Sequence, residues 1–256
     1  LQVSVTKRLS QHVSVNGYYI WSKALASGSL QTTGNIGNSA GTEPEDYYNL
    51  GLEKQLTDND QRHQATVSFV WKPDYFSHFN LFTRTLLDGW SISGIVSLRS
   101  GKPFNITSGT DDNFDGDTND RPSLVPGKTP HLLSYTRPLP NTTKPTWFDT
   151  TAYCKTGSAN CVGTGAGNVD GTVRPNSMTA PGYKDVDASI FRDFTLHESV
   201  KFQFRGEATN VFNMVNLAAP GGTFSSGASF GVITSGVTFP SGTGMRVIQI
   251  GGRLLF

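Results

Sequence analysis

An all-β, antiparallel fold is what this 256-residue chain predicts, and three observations predict it. The composition is that of strands and turns, seven segments alternate strictly between apolar and polar residues, and the connections between them alternate in length. The 28 glycines and 13 prolines, with abundant Ser, Thr and Asn and only three methionines, suit strands and turns far better than helices. Lys plus Arg (21) nearly cancels Asp plus Glu (20), so the basic surplus that drives nucleic-acid binding by counterion release is absent, and nucleic acid is not an expected partner. No run approaches the roughly 18 to 20 apolar residues of a membrane helix, which says nothing against strands that cross a bilayer.

The first alternating segment, Leu1 to Leu9, sets Leu1, Val3, Val5 and Leu9 against Gln2, Ser4, Thr6 and Arg8, with Lys7 breaking the apolar face. His12 to Ser22 opposes Val13, Val15, Tyr19 and Trp21 to Ser14, Asn16 and Ser22. His63 to Trp71 opposes Ala65, Val67, Phe69 and Trp71 to Gln64, Thr66 and Ser68, and Trp90 to Arg99 opposes Trp90, Ile92, Val96 and Leu98 to Ser91, Ser93, Ser97 and Arg99. The fifth and sixth segments form a hairpin about Thr195 to Ser199. Val186, Ala188, Ile190 and Phe194 face Val200, Phe202, Phe204 and Ala208, while Asp185, Asp187, Ser189 and Asp193 lie opposite Lys201, Gln203, Arg205 and Glu207. A simple register pairs Asp193 with Lys201, opposite charges of the stabilising kind. The seventh segment, Arg246 to Phe256, carries Ile248, Ile250, Leu254 and Phe256 on one face, with Gln249 and Arg253 on the other. Each is about as long as a tilted strand needs to be to cross a bilayer.

The connections decide which β class this is. A short turn near Ser10 is followed by a long polar loop, 23 to 62; a medium link, 72 to 89, by a very long one, 100 to 184; and the tight turn after Thr195 by a last loop, 213 to 245. Short connections at one end and long ones at the other are the pattern of an outer-membrane barrel, periplasmic and extracellular respectively. The final strand then runs toward the periplasm and ends on Phe256. Aromatic residues fall near strand ends, Tyr19 and Trp21 at the outer side and Trp71, Trp90, Phe194 and Phe256 at the inner side, which fits two interfacial girdles in contact with outer-membrane lipid. A soluble sandwich shares the alternation but accounts for neither the length asymmetry nor the terminal aromatic residue. The expected fold is an antiparallel transmembrane β-barrel of the bacterial outer membrane. Leu1 to Leu9 already reads as a strand, not a signal peptide, so residues 1 to 256 are expected to be its C-terminal portion, about seven strands without the N-terminal ones.

Few constellations suggest chemistry. Cys154 and Cys161 lie close together in a loop without zinc-spaced partners, and a local disulfide of an oxidising compartment is the expected state. Asp111, Asn113 and Asp115 offer oxygens at alternate positions before Gly116, like the front half of a calcium loop, but Pro122 stands where the bidentate Glu belongs. Calcium is the one candidate ion and no other cofactor is expected. Gly227-Ala228-Ser229-Phe230-Gly231 matches a nucleophile elbow without the downstream His that it requires. The five histidines are scattered, Gly163-Thr164-Gly165-Ala166-Gly167 lacks the third glycine of a dinucleotide fingerprint, and no enzyme activity is expected.

Several segments, in order, resemble one family. They are Tyr19-Ile20-Trp21-Ser22-Lys23-Ala24-Leu25, Asp58-Asn59-Asp60-Gln61-Arg62-His63, Gly89-Trp90-Ser91-Ile92-Ser93-Gly94, Ser100-Gly101-Lys102-Pro103-Phe104, Asn119-Asp120-Arg121-Pro122, Asp187-Ala188-Ser189-Ile190-Phe191-Arg192, Phe204-Arg205-Gly206-Glu207-Ala208-Thr209-Asn210-Val211-Phe212-Asn213 and Phe230-Gly231-Val232-Ile233-Thr234. The chain is similar to the C-terminal barrel of TonB-dependent outer-membrane receptors, especially the Oar-like group with a carboxypeptidase-regulatory-like N-terminal domain. The resemblance implies a 22-stranded barrel around a plug, with uptake powered through TonB. Neither plug nor TonB box is recognisable here, so the TonB complex would be reached through the missing N-terminal part. The alternation of Ile250, Leu254 and Phe256 resembles the signal read by the barrel-assembly machinery. The function expected on this basis is part of a transporter whose loops 23 to 62 and 100 to 184 capture an unknown extracellular substrate. Arg99, Asp185, Asp187, Arg205 and Glu207 would line its lumen. The alternatives are a non-transporting adhesin or porin-like barrel and a secreted calcium-binding β-sandwich.

Overall fold

The computed structural model describes residues 1–10, 12–27, 44–46, 48–73, 78, 80, 88–114, 116, 120–132, 145–159, 161, 170–197, 200–237 and 244–256. Its strands in chain order are β1 (Gln2–Ser10), β2 (Val13–Trp21), β3 (Leu25–Ser27), β4 (Lys54–Leu56), β5 (His63–Trp71), β6 (Trp90–Arg99), β7 (Pro103–Phe104), β8 (Ser123–Leu124), β9 (Tyr153–Cys154), β10 (Met178–Thr179), β11 (Tyr183–His197), β12 (Val200–Thr209) and β13 (Val247–Leu255). Two short 3-10 turns, Thr150–Ala152 and Phe224–Ser229, complete the regular structure. No helix among the described residues is long and apolar enough to cross a membrane.

The seven long strands form one antiparallel sheet in the order β1-β2-β5-β6-β11-β12-β13, so each pairs with its neighbour in this series. All seven coincide with the alternating segments. Period-two alternation leaves each strand free to pair in registers two residues apart, but only registers of one parity keep the apolar residues on a common face. The six ladders all do so. Val15 pairs with Phe69, Phe69 with Gly94, Gly94 with Ala188, Ala188 with Ala208 and Ala208 with Ile248. The opposite face pairs Asn16 with Ser68, Ser93 with Ser189 and Ser189 with Glu207. Gly94 lets the Phe69 ring lie across the neighbouring strand, because a Cβ there would stand 2.8 Å from that ring and 2.9 Å from the Asp187 carbonyl oxygen. The apolar face stays open, with Val5 60% and Ile250 71% exposed.

One pairing differs from the sequence expectation. Asp193 lies opposite Gln203, whose Nε2 donates to Asp193 Oδ1 at 2.8 Å, while Lys201 pairs with Thr195. The physical reason is that β11 continues to His197, so the hairpin closes later than expected, at His197 opposite Val200, and a one-residue bulge between Thr195 and His197 then sets the ladder two residues from the expected pairing, which keeps each side chain on its face.

Strand direction bears out the predicted parity. The connections joining β2 to β5, β6 to β11 and β12 to β13 all leave from one end of the sheet, and the short ones from the other. Leu255 pairs with Lys201, so Phe256 stands beside the short β11-β12 turn. Trp71, Trp90 and Phe194 lie toward the same end, where Trp90 meets Phe194 and Phe204 edge to face at 6.3 and 6.0 Å. Tyr19 and Trp21 lie toward the long-loop end, where Tyr19 Oη hydrogen-bonds His63 Nδ1 at 2.7 Å.

Candidate functional site: the loop cap and the polar face

The long connections, which carry little alternation, fold into a cap with its own core. Ile106, Phe148 and Ala152 are fully buried there with Tyr153, Val173, Met178 and Phe230. The ring of Phe148 meets Phe230 at 5.2 Å and Tyr153 at 5.6 Å in T-shaped contacts, the arrangement favoured by the aromatic quadrupole. Two chain segments supply these rings. The 100–184 connection is closed on itself by β7 with β10 and β8 with β9. The 213–245 connection is stitched to it by Thr107 N–H to the Gly222 carbonyl (3.0 Å) and Trp147 N–H to the Gly231 carbonyl (2.8 Å). Cys154 and Cys161 form the expected disulfide, with both residues buried.

The third long connection is fastened by a buried ionic clamp. Arg121 donates from Nη1 and Nη2 to the two Glu53 oxygens at 3.2 and 2.6 Å, a fork-on-fork pairing, and from Nε to the Val173 carbonyl at 2.8 Å. Glu45 Oε1 accepts from the backbone N–H groups of Gly171 (2.6 Å) and Arg121 (3.1 Å). Its Oε2 lies 2.7 Å from Arg121 Nη2 but off the hydrogen-bond axis, so that contact is ionic without being a well-aligned hydrogen bond. All three side chains are at most 4% exposed. Two carboxylates face one guanidinium. Loss of water dominates at Glu45, outweighing the attraction of Arg121 and the two backbone donors, and pushes its pKa up to about 7. Gly171 has to be glycine, because a Cβ there would run into the Arg121 carbonyl. Asn176 adds a further tie, donating to the Leu56 carbonyl at 2.8 Å and to Asp58 Oδ1 at 2.6 Å.

The five residues expected to line a lumen share the polar face. Asp187 and Glu207, with Ser68, Ser93, Ser189 and Thr209, border a trough of about 370 Å³. Arg205 pairs with Glu207, and Asp187 Oδ1 accepts from the Asn210 backbone N–H at 2.9 Å. Arg99 lies over the Tyr183 ring at 5.8 Å, and Asp185 is opposite Ser97. In the acidic run, Asp111 Oδ2 accepts from Gly116 N–H at 3.1 Å, and Gly116 has the left-handed φ of +92° that a sharp turn there requires. Asn113 Nδ2 donates to Asp170 Oδ1 at 3.5 Å, and Asp112 accepts from Ser108 and Thr110. Asp115 and the Gly163 to Gly167 stretch lie outside the described residues. Among the described residues no three His, Cys, Asp or Glu side chains converge as metal ligands.

Arg121, Glu45 and Glu53 went unrecognised in the sequence, since the clamp joins positions 68 and 76 residues apart. The only local signal was Asn119-Asp120-Arg121-Pro122, a charged group beside a rigid turn residue.

A single-layer antiparallel meander with an exposed apolar face, a polar opposite face, and long connections gathered at one end is the wall of a membrane barrel of outer-membrane type. The sequence matches the family model of the outer membrane beta barrel domain over residues 1–249, and the chain belongs to that family. Its place is the bacterial outer membrane. Neither the curated proteins nor the solved structures yield a match.

Proposed function

We propose that this chain forms part of the barrel wall and outer cap of a gated, TonB-dependent transporter. The observation that carries the reading is the cap. Extracellular loops that only connect strands need no core, whereas these bury seven apolar side chains, a disulfide and an ionic clamp. Such construction gives a rigid outer surface, on which Tyr48 and Phe114 hold their rings almost wholly exposed, suited to contact with a substrate. The trough beside Asp187 and Glu207 gives the polar face groups for a plug or a passing solute. β1 and β13 are the two edges of the sheet, and an unpaired edge is not tolerated in hydrocarbon, so further strands must complete the barrel. The resemblance to Oar-like receptors supplies the specific reading.

The test uses the full-length protein reconstituted in planar bilayers, together with the purified periplasmic domain of TonB. The expected result is a closed barrel with no stepwise conductance and saturable binding to TonB. An open pore without TonB binding would replace the proposal with a porin-like or adhesin barrel.

A further inference from the structure

Asp187 belongs to two structures at once. On the polar face it borders the trough of about 370 Å³, with Ile95 directly opposite on β6 and the hydroxyls of Ser68, Ser93, Ser189 and Thr209 around it. At the outer end of the β11-β12 ladder its Oδ1 accepts the Asn210 backbone N–H at 2.9 Å. The other carboxylate of the trough, Glu207, is paired with Arg205, whereas none of the ion pairs among the described residues involves Asp187. Asp185, two residues outward on the same face and opposite Ser97, adds to the negative charge.

Asn210 in turn closes the base of the 213–245 connection. It is buried, with a left-handed φ of +48°. Its Oδ1 accepts from Met214 N–H at 2.7 Å, and its Nδ2 donates to the carbonyls of Met214 at 2.9 Å and Gly244 at 2.8 Å. One side-chain amide thus joins the two ends of the connection. Farther out, the same connection grips the cap through Phe224 N–H to the Thr107 carbonyl and through Trp147 N–H to the Gly231 carbonyl, both at 2.8 Å. A carboxylate that lines the lumen is therefore linked, through Asn210, to the loop that holds the cap.

We propose that Asp187 binds the ammonium or guanidinium group of a cationic solute in the trough and signals its arrival to the cap by releasing Asn210. A backbone N–H and a full positive charge compete for one carboxylate, and the charge is the stronger partner where water is partly excluded. When Asp187 turns to the cation, the buried Asn210 N–H loses its acceptor, which destabilises the closed base of the loop. The coupling is reciprocal, so an open base leaves Asp187 freer to take the cation. The inference rests on the polar face being the lumen and is independent of whether TonB drives the barrel.

A cation can be installed in place. Ile95 stands opposite Asp187 at the cross-strand spacing of about 5 Å, so I95K sets an ammonium beside the carboxylate and I95M sets an uncharged chain there. Amide hydrogen exchange is followed on the full-length protein in neutral detergent. I95K should speed exchange about tenfold at Asn210 and Met214, the change expected when a hydrogen bond to a charged group is lost, and should also speed it at Trp147. The amides of Arg121 and Gly171, held by Glu45, should not change. I95M should match wild type. D187N keeps an acceptor for Asn210 without the charge, so D187N/I95K should stay at the wild-type rate, which a merely structural Asp187 would not produce. Agmatine, a soluble dication, should speed the same amides in wild type and leave D187N unchanged. Heat-modifiable gel mobility confirms folding, and I95R stands in should I95K misfold. Equal rates in I95K and I95M, or fast exchange in D187N/I95K, would overturn the coupling. A wild type that ignores agmatine while I95K responds would overturn the solute and assign the cation to another part of the protein.

Discussion

Glu45 makes the stability of the cap depend on pH in a direction opposite to that of an ordinary salt-bridged carboxylate. Its pKa is about 7 in the folded cap and 4.5 in the unfolded chain, because burial disfavours the charged form more than Arg121 restores it. Glu53 and Asp120, both buried nearby, add no positive charge to help. Between these two pH values the folded cap holds a proton that the unfolded chain has released. Its contribution is therefore fully present below pH 4.5 and is lost as pH rises through 7. A shift of this size corresponds to about 3 kcal/mol in all, of which about 2.5 kcal/mol falls between pH 5 and pH 8. The assay is amide hydrogen exchange on the full-length protein, corrected for intrinsic rates, at the backbone N–H groups of Arg121, Gly171 and Val173, which hydrogen-bond within the clamp region. Protection there should fall by about two decades from pH 5 to pH 8 if opening of the cap governs exchange. Glu45→Gln keeps the acceptor oxygen and abolishes the titration, so its protection should be flat over the same range. Protection that rises toward pH 8, or a Glu45→Gln variant that keeps the wild-type slope, would refute the reasoning.

Four other perturbations follow from the same packing. Phe148→Ala removes a fully buried ring from the cap core and should cost about 3 to 5 kcal/mol of cap stability, read by exchange within 104–153, with heat-modifiable mobility of the barrel unchanged. Gly171→Ala should open the clamp, since the added methyl meets the Arg121 carbonyl; faster proteolysis of the cap is the readout, and wild-type resistance would contradict it. Reducing the Cys154–Cys161 bridge, a closure across a sequence separation of 7, should destabilise the cap by about 2.5 kcal/mol, measured as a shift in its denaturant midpoint. Deleting Phe256 from the full-length protein should lower the amount of folded barrel in outer-membrane fractions, and an unchanged amount would remove any role for this residue in assembly.

The strands were legible because a bilayer imposes a local rule. When one face meets hydrocarbon and the other does not, every second residue must be apolar, and the chain records this over nine or ten positions whatever its partners are. Val13, Val15, Tyr19 and Trp21 announce β2 without reference to β5. Loop lengths likewise record which end of the sheet each connection serves, and the cysteines sit close enough together for their pairing to be read directly. The register of the β11-β12 hairpin escaped because alternation is blind to slips of two residues. Asp193 meets Gln203 instead of Lys201 because the turn closes at His197 and Val200 with a one-residue bulge beside it, and that depends on how the turn folds.

The cap lay outside the sequence for a different reason. Its side chains meet from segments far apart in the chain, and burial there follows no period. Phe148 and Phe230 are 82 positions apart and in edge-to-face contact, and Glu45 finds its partners in Arg121 and Gly171. Nothing near Glu45 marks it as a residue to be buried with a pKa close to neutral. The sequence by itself determined that this chain builds a membrane wall, at which end its long connections gather and which residues share its apolar face, because those are properties of single strands and their connections. Only the tertiary structure decided that the outer loops close into a cored cap held by one guanidinium between two carboxylates. That depends on which loops become neighbours, and it is set by packing across the whole chain.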